Sequence, residues 1–390
     1  MNVGIDLISF QTSQYFLDLA TLAQVRGVEA EKYRAGLGQE RMAVPPPDED
    51  IVTLAASAAK PIMEKINSND IELLLFGTES GVDQSKAAAL FVHGLLNLSK
   101  RCRAVEIKEA CYAATAGLQL ALAWVQQHPD KKALVLGADI ARYDLGSPGE
   151  PTQGCGAIAL LISANPRLLV LDPETGFHAE NVMDFWRPNY RTEALVDGKY
   201  STLVYLSTLV DSWRQYRVAT GRKLGDLARS CFHLPFTRLA EKAYVRLCRE
   251  EKIPEPPPDE IQRKIGPSLL YNRQTGNTYA ASLYESVAAL LDNDPEDLSG
   301  QRISLFSYGS GCMAEFFSGV VQPGYREHLF AERHRRMLAE RTELTYRQYE
   351  DVFRYHVPAD GGDHVFAPYR TGLYRLQGIK QHVRLYAATT

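Results

Sequence analysis

The chain has 390 residues, of which 45% are hydrophobic and 23% are charged, a balance typical of globular proteins and unlike collagen, disordered chains or coiled coils. Its 43 basic and 47 acidic side chains give a net charge of −4, which lacks the basic excess that phosphate binding requires. No apolar run approaches the ~20 residues of a membrane-spanning helix. We therefore expect neither nucleic acid nor membrane as a partner.

The N-terminal stretch MNVGIDLISF has no basic region before its apolar residues, so it predicts a first strand and a cytoplasmic protein. Six cysteines show neither a C-x-x-C pair nor zinc-type spacing with histidine. This pattern is typical of reduced thiols in a cytosolic enzyme and predicts no metal site. One of these thiols could serve as a nucleophile.

Short apolar runs alternate with helical patterns in the first half of the chain, which predicts an α/β layered fold. The expected strands are Ile71 to Phe76, Ala104 to Ile107, Ala133 to Leu136 and Ala157 to Ile162. The expected helices are Ile51 to Ile66, Ser85 to Leu96 and Thr115 to Gln127.

The second half repeats this order, which indicates a duplicated α/β unit. A strand ending in SCFHLPF precedes a helix from Thr237 to Arg249, and later a turn and helix in NTYAASLYESVAALL precede the strand RISLFSY. The proline-rich segment 251–259 predicts a surface connection. The tail from Gly324 to Thr390 predicts a layer appended to the second half, because it is too apolar to stay disordered.

Three side chains of complementary chemistry lie at predicted strand ends. Cys111 stands before a helix of small residues, where the helix dipole favours a thiolate. Glu79 directly follows an apolar strand, where partial burial would suit a carboxylate to proton transfer. His233 lies between a strand and a helix. Each also has a structural interpretation: a buried cysteine, a loop carboxylate and a hydrogen-bonded histidine.

Two glycine-rich turns, GEPTQGCGA and FSYGSGC, would let backbone N–H groups approach a ligand. Neither has the spacing of a phosphate loop or a dinucleotide fingerprint, which argues against nucleotide hydrolysis and dinucleotide redox chemistry. Arg238 and Lys242 lie one turn apart on the helix after His233. They could meet phosphates at the mouth of a site or simply form a solvated helix face.

Seven ordered strings between Val3 and Gly324 resemble the 3-hydroxy-3-methylglutaryl-CoA synthases, most closely the bacterial mevalonate-pathway type. They are GTESGVDQSKAAA, EIKEACYAATAGLQLA, GEPTQGCGAIALL, DFWRPNYRTEALVDGKYS, FHLPFTRLAEKAY, TGNTYAASLY and FSYGSGCMAEFFSG. The resemblance implies a thiolase-like, five-layered αβαβα fold of two duplicated βαβαβ halves. It places these halves at residues 1–165 and 166–390, the second carrying the appended C-terminal segment.

The resemblance also implies condensation of acetyl-CoA with acetoacetyl-CoA by a cytoplasmic homodimer without a metal or redox cofactor. Cys111 would take the acetyl group, Glu79 would act as the general acid/base, and His233 would orient and polarise the acetoacetyl thioester. Matching positions around the pocket are Tyr143, Thr152, Asp184, Phe185, Pro235, Asn277, Ser307 and Tyr308. Coenzyme A contacts would include Ser201, Arg238 and Lys242, although Arg238 replaces the lysine expected there and presents a planar fork instead of a point charge.

Two alternatives stay open at the level of sequence. A related synthase that installs β-branches on polyketides uses the same Cys, His and Glu with acyl groups bound to an acyl carrier protein. Arg238 and Lys242 would serve an acidic carrier protein as well as a phosphate. The other alternative is a catalytically inactive acyl-binding or scaffolding homologue, against which the intact Cys111, Glu79 and His233 argue.

Overall fold

The computed structural model describes residues 1–389, so Thr390, the last residue of the predicted second half, lies outside the described residues. The first half alternates strands and helices as expected, with every predicted strand and helix present. Its elements are β1 (Val3–Thr12), β2 (Tyr15–Asp18), α1 (Leu19–Arg26), α2 (Glu31–Arg34), β3 (Arg41–Ala43), α3 (Ile51–Met63), β4 (Ile71–Gly77), α4 (Ala88–Leu95), β5 (Arg103–Ile107), α5 (Ala113–Gln127), β6 (Lys132–Ala141) and β7 (Gly154–Ala164).

The second half repeats this alternation and is followed by a tail of short elements. Its elements are β8 (Leu169–Leu171), β9 (Gly176–Ala179), β10 (Phe185–Trp186), β11 (Leu195–Val196), α6 (Gly198–Thr220), β12 (Arg229–Phe232), α7 (Arg238–Glu250), α8 (Pro258–Ile265), α9 (Asn272–Thr275), α10 (Ser282–Asn293), β13 (Arg302–Gly309) and β14 (Met313–Val321). The tail contains α11 (Ala331–Ala339), β15 (Thr342–Glu343), α12 (Tyr346–Arg354), β16 (His364–Val365), β17 (Tyr374–Lys380) and β18 (Val383–Ala388).

One large mixed sheet contains the main strands of both halves. The first half contributes the order β5-β4-β6-β7-β1, in which β4 is parallel to β5 and β6 while the other pairs are antiparallel. The second half contributes β12-β13-β14-β8, with the same directions for corresponding pairs. A short antiparallel pairing of β1 with β8 joins the two. This order confirms the duplication, although β5 has no counterpart in the second half within residues 1–389.

Three hydrophobic clusters define five layers. In the central cluster α5 and α10 are packed between side chains of β1, β4, β6 and β7 on one side and of β8, β12, β13 and β14 on the other. A second cluster covers the opposite face of the first half with α3 and α4. A third covers the second half with α6 and α7. The α/β fold with five αβαβα layers is therefore confirmed, and it brings the N-termini of α5 and α10 together at the centre.

The tail, expected as a layer of the second half, packs mainly against the first half, and α11 also contacts the second half, since His334 Nδ1 lies 2.6 Å from Asp292 Oδ2 of α10. Arg375 Nε donates to Asp48 Oδ2 at 2.8 Å, and Tyr386 Oη donates to Asp50 Oδ2 at 2.6 Å. Helix α11 is fixed to β1, because the Phe10 amide donates to His334 Nε2 at 3.2 Å. Phe330 and Tyr374 pack in the cluster of α3 and α4, whereas Leu344 and Tyr349 pack in a separate cluster with α1, β2 and β3. The local apolar pattern of the tail does not encode which surface covers it.

The second half differs from expectation in two elements. Helix α6 runs for 23 residues through a segment in which the sequence pattern predicted no helix. Helix α8 begins at Pro258, inside the predicted proline-rich connection, because proline fits the first turn of a helix. Within residues 1–389, no helix has both the length and the apolar character needed to span a membrane.

Candidate active site

Cys111 lies in the tight connection between β5 and α5, immediately before Tyr112 caps the helix. The preceding residue, Ala110, has φ +42°, a left-handed conformation that is uncommon and strained for a residue with a Cβ. The start of α5 is pressed onto β4, because a Cβ added at Gly77 would lie 2.4 Å from the Ala114 nitrogen. The sharp turn at Ala110 thus places the thiol at the carboxyl end of the sheet, where ligands bind in α/β folds.

Glu79 follows β4 by two residues, and its side chain is 8% exposed. Neither carboxylate oxygen has a hydrogen-bond partner. The loop that carries Glu79 is held by Asp139, whose Oδ1 accepts from the backbone amides of Glu79 at 2.9 Å and Ser80 at 3.0 Å. The nearest cation is Arg187, whose Nη2 lies 3.8 Å from Glu79 Oε1. An unpartnered buried carboxylate is the arrangement expected of a group that must exchange a proton with a ligand.

Burial raises the pKa of Glu79 well above its usual range. The negative charges of Asp139 and Glu109 raise it further, while Arg187 opposes them. A carboxyl whose pKa approaches neutrality can both remove and return a proton at physiological pH.

Burial also raises the pKa of the Cys111 thiol, and the nearby carboxylates Glu79, Asp139 and Asp184 add to this effect. The expectation that the helix N-terminus favours the thiolate therefore fails in this protein. Desolvation and three negative charges outweigh the dipole of α5, whose contribution is typically at most ~2 kcal/mol. The Cys111 thiol is therefore protonated at neutral pH.

His233 lies directly after β12 and is 2% exposed. Its backbone is fixed on both sides, because its amide donates to the Phe306 carbonyl at 2.8 Å and its carbonyl accepts from Tyr205 Oη at 2.9 Å. Its Nδ1 is buried without a partner. Burial lowers the pKa of His233 to about 3, so the ring is neutral at physiological pH and can donate one hydrogen bond and accept another.

Aromatic and polar side chains from both halves line the region around Cys111 and Glu79. The Phe185 ring packs edge-on against Tyr143 and Tyr279, with ring centroids 6.3 and 5.6 Å away. Burial raises the pKa of Tyr143, and the charges of Cys111 and Glu79 act in the same direction. The amide of Asn277 donates to the Thr152 carbonyl at 3.0 Å. These four predicted residues, Tyr143, Thr152, Phe185 and Asn277, are therefore brought together.

Asp184 organises a second group of predicted residues. Its carboxylate is fully buried and accepts from Tyr308 Oη at 2.6 Å, Ser201 Oγ at 2.9 Å and the Gly311 amide at 3.0 Å. Ser307 Oγ, one residue before Tyr308, accepts from Thr115 Oγ1 of α5 at 2.7 Å. The ends of β13 and α5 are thereby tied together close to Cys111.

Arg238 and Lys242 lie on the exposed face of α7, with Pro235 half-buried in the turn that follows His233. Arg238 is paired with Glu241 at 2.5 Å and lines a surface groove of about 530 Å³. Glu79 lines two other clefts, of about 980 and 780 Å³, and neither includes Arg238 or Lys242. The two basic side chains thus stand apart from the buried groups.

Four residues of the site were not predicted: Glu109, Asp139, Arg187 and Tyr279. Asp139 lies near the carboxyl end of β6, shortly after the apolar run Ala133 to Leu136, and a rule extended to that position could have found it. Arg187 and Tyr279 carry no comparable local signal, since only the folded chain brings them to Glu79. Within the described chain, no group of three or more His, Cys, Asp or Glu side chains could hold a metal ion.

Comparisons with known proteins agree with this geometry. Residues 1–167 match the family model for the N-terminal part of hydroxymethylglutaryl-coenzyme A synthase, and residues 169–257 and 250–357 match the model for its C-terminal part. The chain is 43% identical over 353 residues to the hydroxymethylglutaryl-CoA synthase of Enterococcus faecalis, covering 90% of this chain and 92% of that protein.

Two further relatives show how broad the similarity is. A crystal structure of HMG-CoA synthase complexed with CoA superimposes with a TM-score of 0.94 at 41% identity, covering all of both chains. The polyketide biosynthesis 3-hydroxy-3-methylglutaryl-ACP synthase PksG of Bacillus subtilis is 32% identical, covering 91% of this chain and 88% of that protein. With two family models matching most of its length and a thiol, a carboxylate and an imidazole at the centre of the shared fold, this chain belongs to the hydroxymethylglutaryl-CoA synthase family.

Proposed function

We propose that this protein condenses acetyl-CoA with acetoacetyl-CoA and water to give 3-hydroxy-3-methylglutaryl-CoA and CoA. The family relationship supports the reaction class, since the Enterococcus faecalis hydroxymethylglutaryl-CoA synthase, at 43% identity, and the HMG-CoA synthase solved with CoA, at 41%, are more similar to this chain than PksG, at 32%. The observation that carries the proposal is that the Cys111 thiol and the unpartnered Glu79 carboxylate follow neighbouring parallel strands, β5 and β4, at one edge of the sheet. A nucleophile and a proton acceptor in one buried cluster are what an acyl-enzyme condensation requires.

The first step in this proposal is acyl transfer. The sulfur of Cys111 attacks the thioester carbonyl of acetyl-CoA, the bond between that carbonyl and the CoA sulfur breaks, and the thiol proton passes to the departing CoA. The raised pKa of Cys111 keeps the thiol protonated until substrate is bound, which protects it from side reactions of a free thiolate.

Condensation then requires a carbanion. Glu79 removes a proton from the methyl group of acetyl-Cys111, and the resulting carbanion attacks the C3 ketone of acetoacetyl-CoA. His233, neutral because of its burial, donates a hydrogen bond that orients and polarises the acetoacetyl thioester. The alkoxide takes up a proton, and water cleaves the thioester to Cys111 to release the product.

The other predicted residues are assigned binding roles in the same proposal. Tyr143, Thr152, Asp184, Phe185, Pro235, Asn277, Ser307 and Tyr308 shape the acyl pocket, and Ser201, Arg238 and Lys242 contact coenzyme A. The chemistry is assigned to the thiol, carboxylate and imidazole, with no metal or redox cofactor. We further propose a cytoplasmic homodimer that acts in the mevalonate pathway.

Acetylation of Cys111 tests this proposal. Brief incubation with acetyl-CoA alone should add one acetyl group to the peptide that contains Cys111, and addition of acetoacetyl-CoA should then discharge it as 3-hydroxy-3-methylglutaryl-CoA. Acetylation of Cys155 or Cys312 with Cys111 free would refute the assignment of the nucleophile. No acetylation at any cysteine would refute the acyl-enzyme mechanism and favour an inactive homologue.

A carrier-protein substrate is the second candidate, favoured by the similarity to PksG and by the exposed basic side chains of α7. Carrier-protein recognition needs a surface that faces solvent, and Arg238 and Lys242 provide one. Parallel kinetics with acetyl-CoA and an acetyl-carrier protein distinguish the two. A far higher kcat/KM for the carrier-bound donor would overturn the CoA proposal.

A further inference from the structure

Arg187 occupies a position that the proposed reaction leaves without a role. It follows the short strand β10 and precedes Pro188, and its side chain is 16% exposed. Its Nη2 donates to the backbone carbonyl of Glu79 and lies 3.8 Å from Glu79 Oε1. One guanidinium thus contacts both the main chain and the carboxylate of the proposed base.

The charges around Glu79 make this contact unusual. Asp139, at the end of β6, and Glu109, in the loop before α5, both add negative charge, and Arg187 is the cation that opposes them. Other titratable groups near these residues are Cys111, the phenols Tyr143 and Tyr279, and Arg142, whose positive charge lies near that of Arg187. Asp184 adds negative charge near Cys111, and Lys108 adds a positive charge beside Glu109. Asp139 is already committed to its four hydrogen bonds, from Thr78, Glu79, Ser80 and Ala280.

We propose that Arg187 is a positioning residue for the condensation: its positive charge beside the Glu79 carboxylate favours the ionised form, and its contact with the Glu79 carbonyl fixes the loop. This inference rests on the proposed function, because it concerns the step in which Glu79 removes a methyl proton. It assigns to the Arg of DFWRPNY an electrostatic task distinct from substrate contact.

The consequence of losing the charge has a definite direction. Without a cation, a buried carboxylate beside two other carboxylates keeps its proton to higher pH. An opposite charge within ~4–6 Å typically changes a carboxyl pKa by about 1–3 units. The ionised fraction of Glu79 at neutral pH would then fall about tenfold for each unit by which its pKa rises.

A merely structural role for Arg187 makes a different prediction. If the side chain only anchored the loop, its loss would misplace Glu79 and lower the rate by the same factor at every pH. The pH profile of the condensation step therefore separates the two roles, whereas the rate at a single pH does not.

The experiment starts from enzyme already acetylated on Cys111, so that the thiol no longer titrates. Acetoacetyl-CoA is mixed with this acetyl-enzyme at a series of pH values, and the single-turnover rate of product formation is recorded for wild type, Arg187→Gln and Arg187→Lys. Arg191→Gln serves as the matched control, because Arg191 belongs to the same segment but pairs with Asp144 at 3.0 Å.

We expect the acidic limb of the Arg187→Gln profile to move upward by about 1–3 pH units, with about tenfold slower turnover at pH 7 for each unit. Arg187→Lys keeps the positive charge on a shorter side chain, so its acidic limb should shift less. Arg191→Gln should leave the acidic limb at the wild-type pH. Retained acetylation of Cys111 shows that a variant is folded.

An unmoved limb in Arg187→Gln with a uniformly lower rate would overturn the proposal, as would equal profiles for the Gln and Lys variants. If Arg187→Gln does not fold, Arg187→Lys provides the test. The proposal is then overturned if the acidic limb of Arg187→Lys stays at the wild-type pH while its rate is lowered by the same factor at every pH. Failure of the proposed function itself looks different, because wild-type acetyl-enzyme would then give no 3-hydroxy-3-methylglutaryl-CoA at any pH.

Discussion

Replacing Glu79 by glutamine should separate the two halves of the reaction. The amide keeps the shape of the side chain but cannot accept a proton, so condensation should fall by a factor of about 10² to 10⁴, the usual contribution of a positioned acid/base. Acetylation of Cys111 should stay measurable, because in the proposed mechanism the carboxylate acts on the methyl group after acyl transfer.

The same substitution should stabilise the fold at alkaline pH. The pKa of Glu79 is raised in the folded protein, so between the unfolded value, ~4.3, and the higher folded value the native state binds more protons than the unfolded chain. Stability from this group is therefore present at low pH and lost as pH rises. At ~1.4 kcal/mol for each pH unit, and allowing for its coupling to Asp139, the variant should gain about 1–3 kcal/mol over wild type near pH 8 and little near pH 5.

Three measurements check this prediction together: the mass of the Cys111 peptide after acetyl-CoA, the single-turnover condensation rate, and thermal unfolding at pH 5 and pH 8. Asp83→Asn is the control, since Asp83 lies exposed on the same loop and should change none of them appreciably. An equal fall of acetylation and condensation would show that Glu79 acts earlier or only structurally. A variant less stable than wild type at pH 8 would refute the electrostatic reasoning.

Two further results are expected. Cys111→Ser should abolish acetyl-enzyme formation as measured by mass spectrometry, while Cys155→Ser and Cys312→Ser should retain it; loss in all three would point to a general folding defect. Removing the charges of Arg238 and Lys242 should raise KM for CoA thioesters far more than it lowers kcat, as uniform binding requires, with a weaker effect at high salt; an unchanged KM would place the CoA phosphates elsewhere.

The sheet was predictable because its signals are local. Buried parallel strands such as β4 and β6 appear as short apolar runs, and the residue after such a run stands at the edge where ligands bind. That rule selected Glu79, Cys111 and His233 as candidates from the sequence. The repeat was visible for the same reason, since each half uses one alternation of strand and helix.

The electrostatics of the site were not predictable in this way. The low dielectric around Cys111 and the convergence of Glu79, Asp139 and Asp184 arise from segments far apart in sequence, so the sign of the thiol's pKa change was wrong. Arg187 reaches Glu79 from a loop with no regular pattern. The packing of the tail mainly against the first half was not predictable, because an apolar stripe indicates that a segment is covered and leaves open which surface covers it.

A last prediction concerns Glu150 of the GEPTQG turn, in which the sequence pattern pointed only to the glycines. Its carboxylate, 1% exposed, forms a two-pronged ion pair with Arg26 at 2.7 Å and accepts from Tyr349 Oη at 3.1 Å. Tyr349 also accepts from Gln153 at 2.8 Å, and Gln153 in turn accepts from the Tyr143 amide at 2.8 Å. The N-terminal segment and the tail thereby hold the backbone of Tyr143 in the site.

Glu150→Gln should therefore affect both stability and substrate binding. Removing one partner of a buried ion pair lowers the free energy of unfolding by about 3–5 kcal/mol. Because Arg26 is 23% exposed, water offsets part of this loss, and we expect a destabilisation of about 1–3 kcal/mol. Weakening the series of hydrogen bonds that leads from Glu150 to Tyr143 should raise KM for acetyl-CoA. The double variant with Arg26→Met should be more stable than Glu150→Gln alone, because no uncompensated charge is left. The test compares the unfolding midpoints of Glu150→Gln and of the double variant. Equal midpoints would show that the ion pair does not hold this turn.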